Sequence, residues 1–120
     1  MAAMKRASVP DVTSTELWVV ETAIKERWGA GVVEVQVADS DIRLEPTDRE
    51  MTSCPTLYWT DDTAHFVIFK VGDGLYRSQF FYSKREQYGT GRREYDDLAE
   101  CVSLLLKMEA DHRSTRPADN

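Results

Sequence analysis

The sequence predicts an α+β domain, a two-layer sandwich in which two helices cover one face of an antiparallel sheet of four or five strands. Helical spacing of apolar residues occurs only near the two ends of the chain. Between them, apolar residues recur at every second position and turn residues separate the segments. We expect the order helix, β-meander, helix, with both helices on one sheet face, because each has a single apolar stripe to bury.

The first helix is predicted from its start and stop signals. Thr13 and Glu16 form a capping box, in which each side chain can accept a hydrogen bond from the other residue's backbone N–H. The apolar stripe that follows consists of Leu17, Val20, Ile24 and Trp28. The segment Gly29-Ala30-Gly31 is expected to end the helix, because glycine tolerates positive φ.

The middle of the chain predicts the strands. Val33, Val35 and Val37 alternate with polar residues, and we expect a turn at Asp39-Ser40 before a short second strand with Ile42 and Leu44. After a polar loop at 46–55, strands are predicted at 56–59, 64–71 and 75–82, the last two joined by a hairpin turn at 72–74. The second helix is predicted at 93–110, with acidic residues at its positive end.

Length and composition predict one domain with short ends. The chain has 120 residues, of which 42% are hydrophobic, so it can bury a core but has little room for a second domain. We expect a flexible leader at 1–11, a single α+β domain at 12–110 and a disordered tail at 111–120. Two cysteines are too few for a disulfide scaffold, and no secretory or membrane-spanning segment is predicted, so the expected location is the cytoplasm.

The charge of the chain is polarised along the sequence. The net charge is −6, which disfavours nucleic acid as a default partner. Residues 34–62 hold eight acidic side chains against two basic ones, whereas residues 77–93 hold five basic against one acidic. Such lobes can orient a protein partner or a second copy and accelerate association.

The segment at 64–71 predicts an interaction surface, because it is apolar on both faces while two helices can cover only one. We therefore predict a small accessory or regulatory protein without enzymatic activity, which binds a protein partner or forms a homodimer through an apolar-aromatic sheet face. The loop at 46–55 is the alternative cover for that face. The candidate anchors are Trp59, Phe66, Ile68, Tyr76 and Phe80.

A second hypothesis is a nucleic-acid-binding module that uses the basic and aromatic residues of segment 76–93. The order of elements resembles the double-stranded-RNA-binding domain in topology, although Glu94, Asp96 and Asp97 stand where that family places lysines. A weaker anion-binding hypothesis concerns backbone N–H groups and guanidinium groups before the second helix. The residues are Gly89, Gly91, Arg92 and Arg93.

A third hypothesis is a small enzyme with a pocket near Cys54 and His65, where a thiol and an imidazole can form a nucleophile pair. The sequence contains no motif of nucleophilic or phosphoryl-transfer chemistry. The soft ligands Cys54, His65, Cys101 and His112 lack the paired spacing of a zinc site. We therefore expect no catalytic residues, no metal and no cofactor.

Overall fold

The computed structural model describes residues 9–83 and 85–115, and its architecture confirms the predicted α+β class. One five-stranded antiparallel sheet has the strand order β1-β2-β3-β4-β5, and helices at both ends of the chain pack on the same sheet face. The elements are α1 (Ser14–Trp28), β1 (Gln36–Ile42), β2 (Thr52–Thr60), β3 (His65–Gly72), β4 (Leu75–Ser83), β5 (Glu86–Tyr88) and α2 (Leu98–Thr115).

Helix α1 begins and ends at the predicted residues. The Thr13 hydroxyl accepts from the Glu16 N–H at 3.1 Å, and the Glu16 carboxylate accepts from the Thr13 N–H at 2.8 Å. At the other end, Gly29 has a φ of 101° and donates its N–H to the Lys25 carbonyl. The capping box and the glycine stop thus behave as the sequence predicts.

The first strand differs from the prediction. The chain continues through Asp39 and Ser40 without a turn, because both residues pair with β2, opposite Pro55 and Cys54. Strand β2 in turn begins at Thr52, inside the predicted loop. Proline has no backbone N–H to donate to a neighbouring strand. Pro55 is tolerated in β2 because β2 pairs with β3 only from Thr56 onward, so no hydrogen bond to β3 is lost at Pro55.

The second helix is displaced toward the C-terminus relative to the prediction. It begins at Leu98 because Tyr95 pairs with Tyr76 through two backbone hydrogen bonds, which keeps the preceding residues extended. It continues to Thr115, so residues 111–115 of the predicted tail are helical; residues 116–120 lie outside the described part of the chain. Residues 1–8 of the predicted leader also lie outside the described part of the chain.

The core lies between the two helices and the sheet. Phe66 is at its centre, edge-to-face with Trp28 at a centroid distance of 5.4 Å and stacked on Trp59 at 5.5 Å. Leu105 and Val102 of α2 and Val20 of α1 are fully buried against this layer. In the described ranges, neither helix is apolar enough to cross a membrane.

A buried polar group attaches the start of α1 to the sheet. Lys70 is 3% exposed, and its ammonium donates to the Glu16 carboxylate and to the Asp11 carbonyl, each at 2.9 Å. The Tyr76 hydroxyl donates to the other oxygen of Glu16. Burial raises the pKa of the Glu16 carboxyl, but these donors and the Thr13 N–H outweigh burial and hold the pKa below its usual value. The capping residue of α1 therefore also locates the helix on β3 and β4.

A second buried network centres on Glu109 of α2, whose side chain has no exposed surface. One carboxylate oxygen accepts from Arg27 of α1 at 2.6 Å. The other accepts from Tyr82 at 3.0 Å and from Arg113 at 2.8 Å. Arg113 also donates to Asp61 in the β2–β3 turn at 2.9 Å. This network connects both helices to the sheet near the C-terminal end of α2.

The contacts of Asp61 predict that the free energy of unfolding falls when the pH is lowered. Burial raises the pKa of this carboxyl, but the N–H groups of Ala64 and Thr63 and the Arg113 guanidinium together lower it below its usual value. A carboxyl group whose pKa is lower in the folded than in the unfolded state stabilises the fold at every pH above its unfolded-state pKa. This stabilisation is lost as the pH falls through the folded-state pKa. We expect Asp61→Asn to be less stable than the wild type at pH 7, with a difference that narrows below about pH 4.

Urea unfolding between pH 7 and pH 3 measures this difference. Asp62→Asn is the matched control, because Asp62 is the adjacent and exposed carboxylate of the same turn. A stability difference for Asp61→Asn that stays constant over the whole pH range would show that the Asp61 charge does not contribute.

Candidate functional site

The strand register assigns alternate residues of β2, β3 and β4 to opposite faces of the sheet. The helices cover the face that carries all five predicted anchors, Trp59, Phe66, Ile68, Tyr76 and Phe80. None of these side chains is more than 6% exposed. In this fold they form the core and are not available to a partner.

The other face carries the alternate residues of the same strands and is not covered by a helix. We call its central part the open face, which consists of Thr56, Tyr58, His65, Val67, Phe69, Gln79 and Phe81; Thr60, opposite His65, and Arg77, opposite Phe69, stand at its two ends. Across the strands, Val67 lies between Tyr58 and Gln79, while His65 lies beside Phe81. The apolar character of 64–71 on both faces thus corresponds to one helix-covered face and one open face.

Two polar side chains of the open face, Tyr58 and His65, bond to each other. The Tyr58 hydroxyl and the His65 Nδ1 are 2.7 Å apart. The His65 ring is stacked on Phe81, with a centroid distance of 4.8 Å and an interplanar angle of 9°. Val67, at the centre, is only 7% exposed because its neighbours shield it. The result is a flat, tightly packed surface of rings and methyl groups.

The centre of the open face is slightly concave and extends onto β1. The depression has a volume of about 360 Å³ and is bordered by side chains of β1 to β4. Its lining residues outside the open face itself are Gln36, Val37, Ala38 and Ser40 of β1. No Asp, Glu, Lys or Arg side chain contributes to this lining. The surface therefore offers shape and apolar area, together with a few neutral hydrogen-bonding groups.

The segment at 43–51 covers one end of this side of the sheet. It leaves β1 and reaches Arg77 of β4, whose guanidinium donates to the Leu44 carbonyl at 2.9 Å and to Glu94 at 2.7 Å. Thr52 and Cys54 are buried at this end. The loop cover considered from the sequence is thus present, but it leaves the open face uncovered.

Three of the five basic residues of segment 76–93 are paired with acidic groups. Arg77 pairs with Glu94, Arg92 with Glu100 at 3.1 Å, and Arg93 with Glu45 at 2.7 Å. Four of the five aromatic residues of the segment lie on the helix-covered side, and only Phe81 belongs to the open face; the four are Tyr76, Phe80, Tyr82 and Tyr88. Lys84 lies outside the described residues.

The glycine-rich segment does not lie at a helix start. Gly89 and Gly91 precede Leu98, the first residue of α2, by several residues. The N-terminus of α2 is capped instead by Asp97, whose carboxylate accepts from the N–H groups of Ala99 at 3.0 Å and Glu100 at 3.3 Å. An anion at Gly89, Gly91, Arg92 and Arg93 therefore has no free helix terminus to bind.

The structure does not bring Cys54 and His65 together. His65 pairs with Thr60, and Cys54 lies six positions earlier on β2, a separation of about 20 Å at 3.3 Å per residue. Cys54 is fully buried, and burial raises the pKa of the other thiol, Cys101, to about 11. Among the described residues, no group of His, Cys, Asp and Glu side chains could hold a metal ion.

Comparison with known proteins gives no match: no protein-family model, no curated protein and no solved structure is similar to this chain. Any function assigned to the chain therefore depends on the chemistry of its own residues.

Proposed function

We propose that this protein is a small accessory or regulatory protein that binds a protein chain through the open face and acts without metal or cofactor. The observation that carries the proposal is the character of this face. A sheet face left to water is normally polar, whereas the partly exposed rings of Phe69 and Phe81 stand around the buried Val67 at the centre of this one. An apolar surface of this kind marks an interaction site.

The polar groups of the open face suit a buried interface. A polar group that enters an interface without a partner costs free energy, but Tyr58 and His65 already bond to each other. The rings of His65 and Phe81 are held parallel by stacking, so little side-chain freedom remains to be lost on binding. Aromatic and aliphatic groups that are rigid before binding are favourable anchors.

The charge distribution favours a protein over a nucleic acid as the partner. Nucleic-acid binding needs lysine or arginine side chains that neutralise phosphates and so displace the counterions of the nucleic acid. The arginines at positions 77, 92 and 93 are each already paired with a carboxylate. The open face offers neutral side chains instead. We place the protein in the cytoplasm, a location supported by two buried cysteines that are not joined by a disulfide.

The proposal is tested by capture from an extract of the native host with wild-type and altered chains. Phe81→Glu introduces a carboxylate on the open face and is expected to abolish the capture of the partner, because binding would bury an unpaired charge. Trp18→Glu is the matched control, since Trp18 is 63% exposed on α1 and lies far from the open face in the fold. Quantitative mass spectrometry of the captured proteins is the measurement.

Binding that is kept by Trp18→Glu and lost with Phe81→Glu, while circular dichroism shows both variants folded, would support the proposal. The proposal is overturned if the two variants and the wild type capture the same proteins in the same amounts and the wild type does not self-associate.

A further inference from the structure

We propose that the partner of the open face is a second copy of this chain, packed sheet on sheet about a twofold axis that runs along β3. This inference rests on the proposed function and specifies the occupant of the face. Its support comes from the symmetry of the strand order and from the charges at the ends of the strands.

Strand β3 occupies the centre of the sheet, with two strands on either side. A twofold axis along β3 therefore places β3 on β3, β2 on β4 and β1 on β5 of the other copy. The residues of β3 that meet at this axis are His65, Val67 and Phe69, the apolar middle of the open face. The most apolar part of the surface is then buried deepest, as in a stable isologous interface.

The charges at one end of the strands favour this axis. Antiparallel order brings the start of β1, the β2–β3 turn and the β4–β5 turn to the same end of the sheet. Glu34 and Asp62 are exposed on the β1 side of this end, and Arg85 is exposed on the β5 side. Rotation about β3 places Arg85 of one copy near Glu34 and Asp62 of the other.

A twofold axis across the strands would bring like charges together. It would place Asp62 of one copy near Asp73 in the β3–β4 turn of the other. Glu34 would approach the 43–51 segment, which holds three acidic residues against two basic ones. This arrangement is therefore disfavoured electrostatically.

Pairing through the sheet edge is disfavoured as well. Strand β1 is an edge strand, and Asp39 and Asp41 lie exposed along it. Two copies of β1 side by side would bring these carboxylates against each other, a common device that prevents edge-to-edge association. The face, and not the edge, remains as the surface for a second copy.

The size of the surface predicts a concentration-dependent dimer. Three rows of residues over the strands β1 to β4 give an area of about 400 Å² on each copy, from a strand spacing of about 4.8 Å and 3.3 Å per residue. This area is below the roughly 800 Å² per partner of a standard stable interface. Sedimentation velocity over the micromolar range is expected to show a monomer that converts to a species of twice the chain mass.

Cysteine cross-linking tests the orientation. Gln36 of β1 and Gln87 of β5 both stand on the open side of the sheet, Gln36 opposite Tyr58 and Gln87 opposite Phe81. Rotation about β3 brings them to opposite sheets within one row of residues of each other. A bis-maleimide linker that spans the distance of about 10 Å between stacked sheets and this one row joins the pair. The native cysteines are buried and do not compete. A mixture of Gln36→Cys and Gln87→Cys is expected to yield cross-linked dimer, whereas each variant alone yields monomer.

Three outcomes would overturn the inference, and they separate it from the proposed function. Cross-linking of Gln36→Cys to itself would exclude the axis along β3. A wild type that stays monomeric, but loses a captured foreign protein with Phe81→Glu, would exclude the second copy and leave the proposed function in place. A monomer that captures nothing through this face would exclude both.

Discussion

Replacing Glu109 with alanine is expected to lower the free energy of unfolding by about 2–3 kcal/mol, because it removes a fully buried carboxylate that accepts hydrogen bonds from two partly exposed guanidinium groups and a hydroxyl. Arg27 and Arg113 both donate to this carboxylate, and the Tyr82 hydroxyl loses its acceptor as well. A loss of this size is a large part of the stability of a typical domain and corresponds to a midpoint lower by about 10–20 °C. Chemical denaturation and thermal melting followed by circular dichroism measure it.

Lys107→Ala is the matched control on the same helix. Lys107 pairs with Asp111 at 3.0 Å, but both side chains are largely exposed, so we expect a change within about 0.5 kcal/mol. The double variant Arg27→Leu with Glu109→Leu removes cation and anion together and is expected to cost less than Glu109→Ala alone. If Glu109→Ala is no more harmful than Lys107→Ala, the network does not hold the helices to the sheet.

The sequence predicts the class and most elements of this fold because the deciding signals are local. The capping box at Thr13 and the hairpin turn at 72–74, where Gly74 has a φ of 72°, each depend on residues that are neighbours in the chain. The errors concern long-range pairing. Asp39 and Ser40 form a turn in isolation, but β2 extends them, and Tyr95 is drawn away from the second helix by Tyr76.

The proposed binding surface is harder to predict because its location depends on which sheet face the helices cover. Alternation shows that β3 has two apolar faces, but nothing in the sequence near Phe66 or Phe69 says which of them faces a helix. The long-range signal was present in Glu109 and Lys70, charged residues that must find partners when buried. Lys70 shares its face with Phe66, so its bond to Glu16 of α1 identifies the covered side.

The face assignment itself predicts different costs for two phenylalanines of the same strand. Phe66→Ala is expected to lower the free energy of unfolding by about 3–5 kcal/mol, because Phe66 is completely buried and its loss leaves a cavity between Trp28 and Trp59. Phe69→Ala is expected to cost only about 1–2 kcal/mol, since the Phe69 ring is partly exposed on the open face and water can enter the space it leaves.

Urea unfolding of the two variants measures the difference between their free energies of unfolding. The protein concentration is kept low enough that the chain is monomeric. If the open face binds a second copy, the Phe69→Ala variant loses additional stability relative to the wild type as the concentration rises, because association stabilises only the intact face. The cost of Phe66→Ala has no such origin, since its ring lies beneath the helices. Equal costs for the two variants at low concentration would contradict the face assignment, and with it the location of the binding surface.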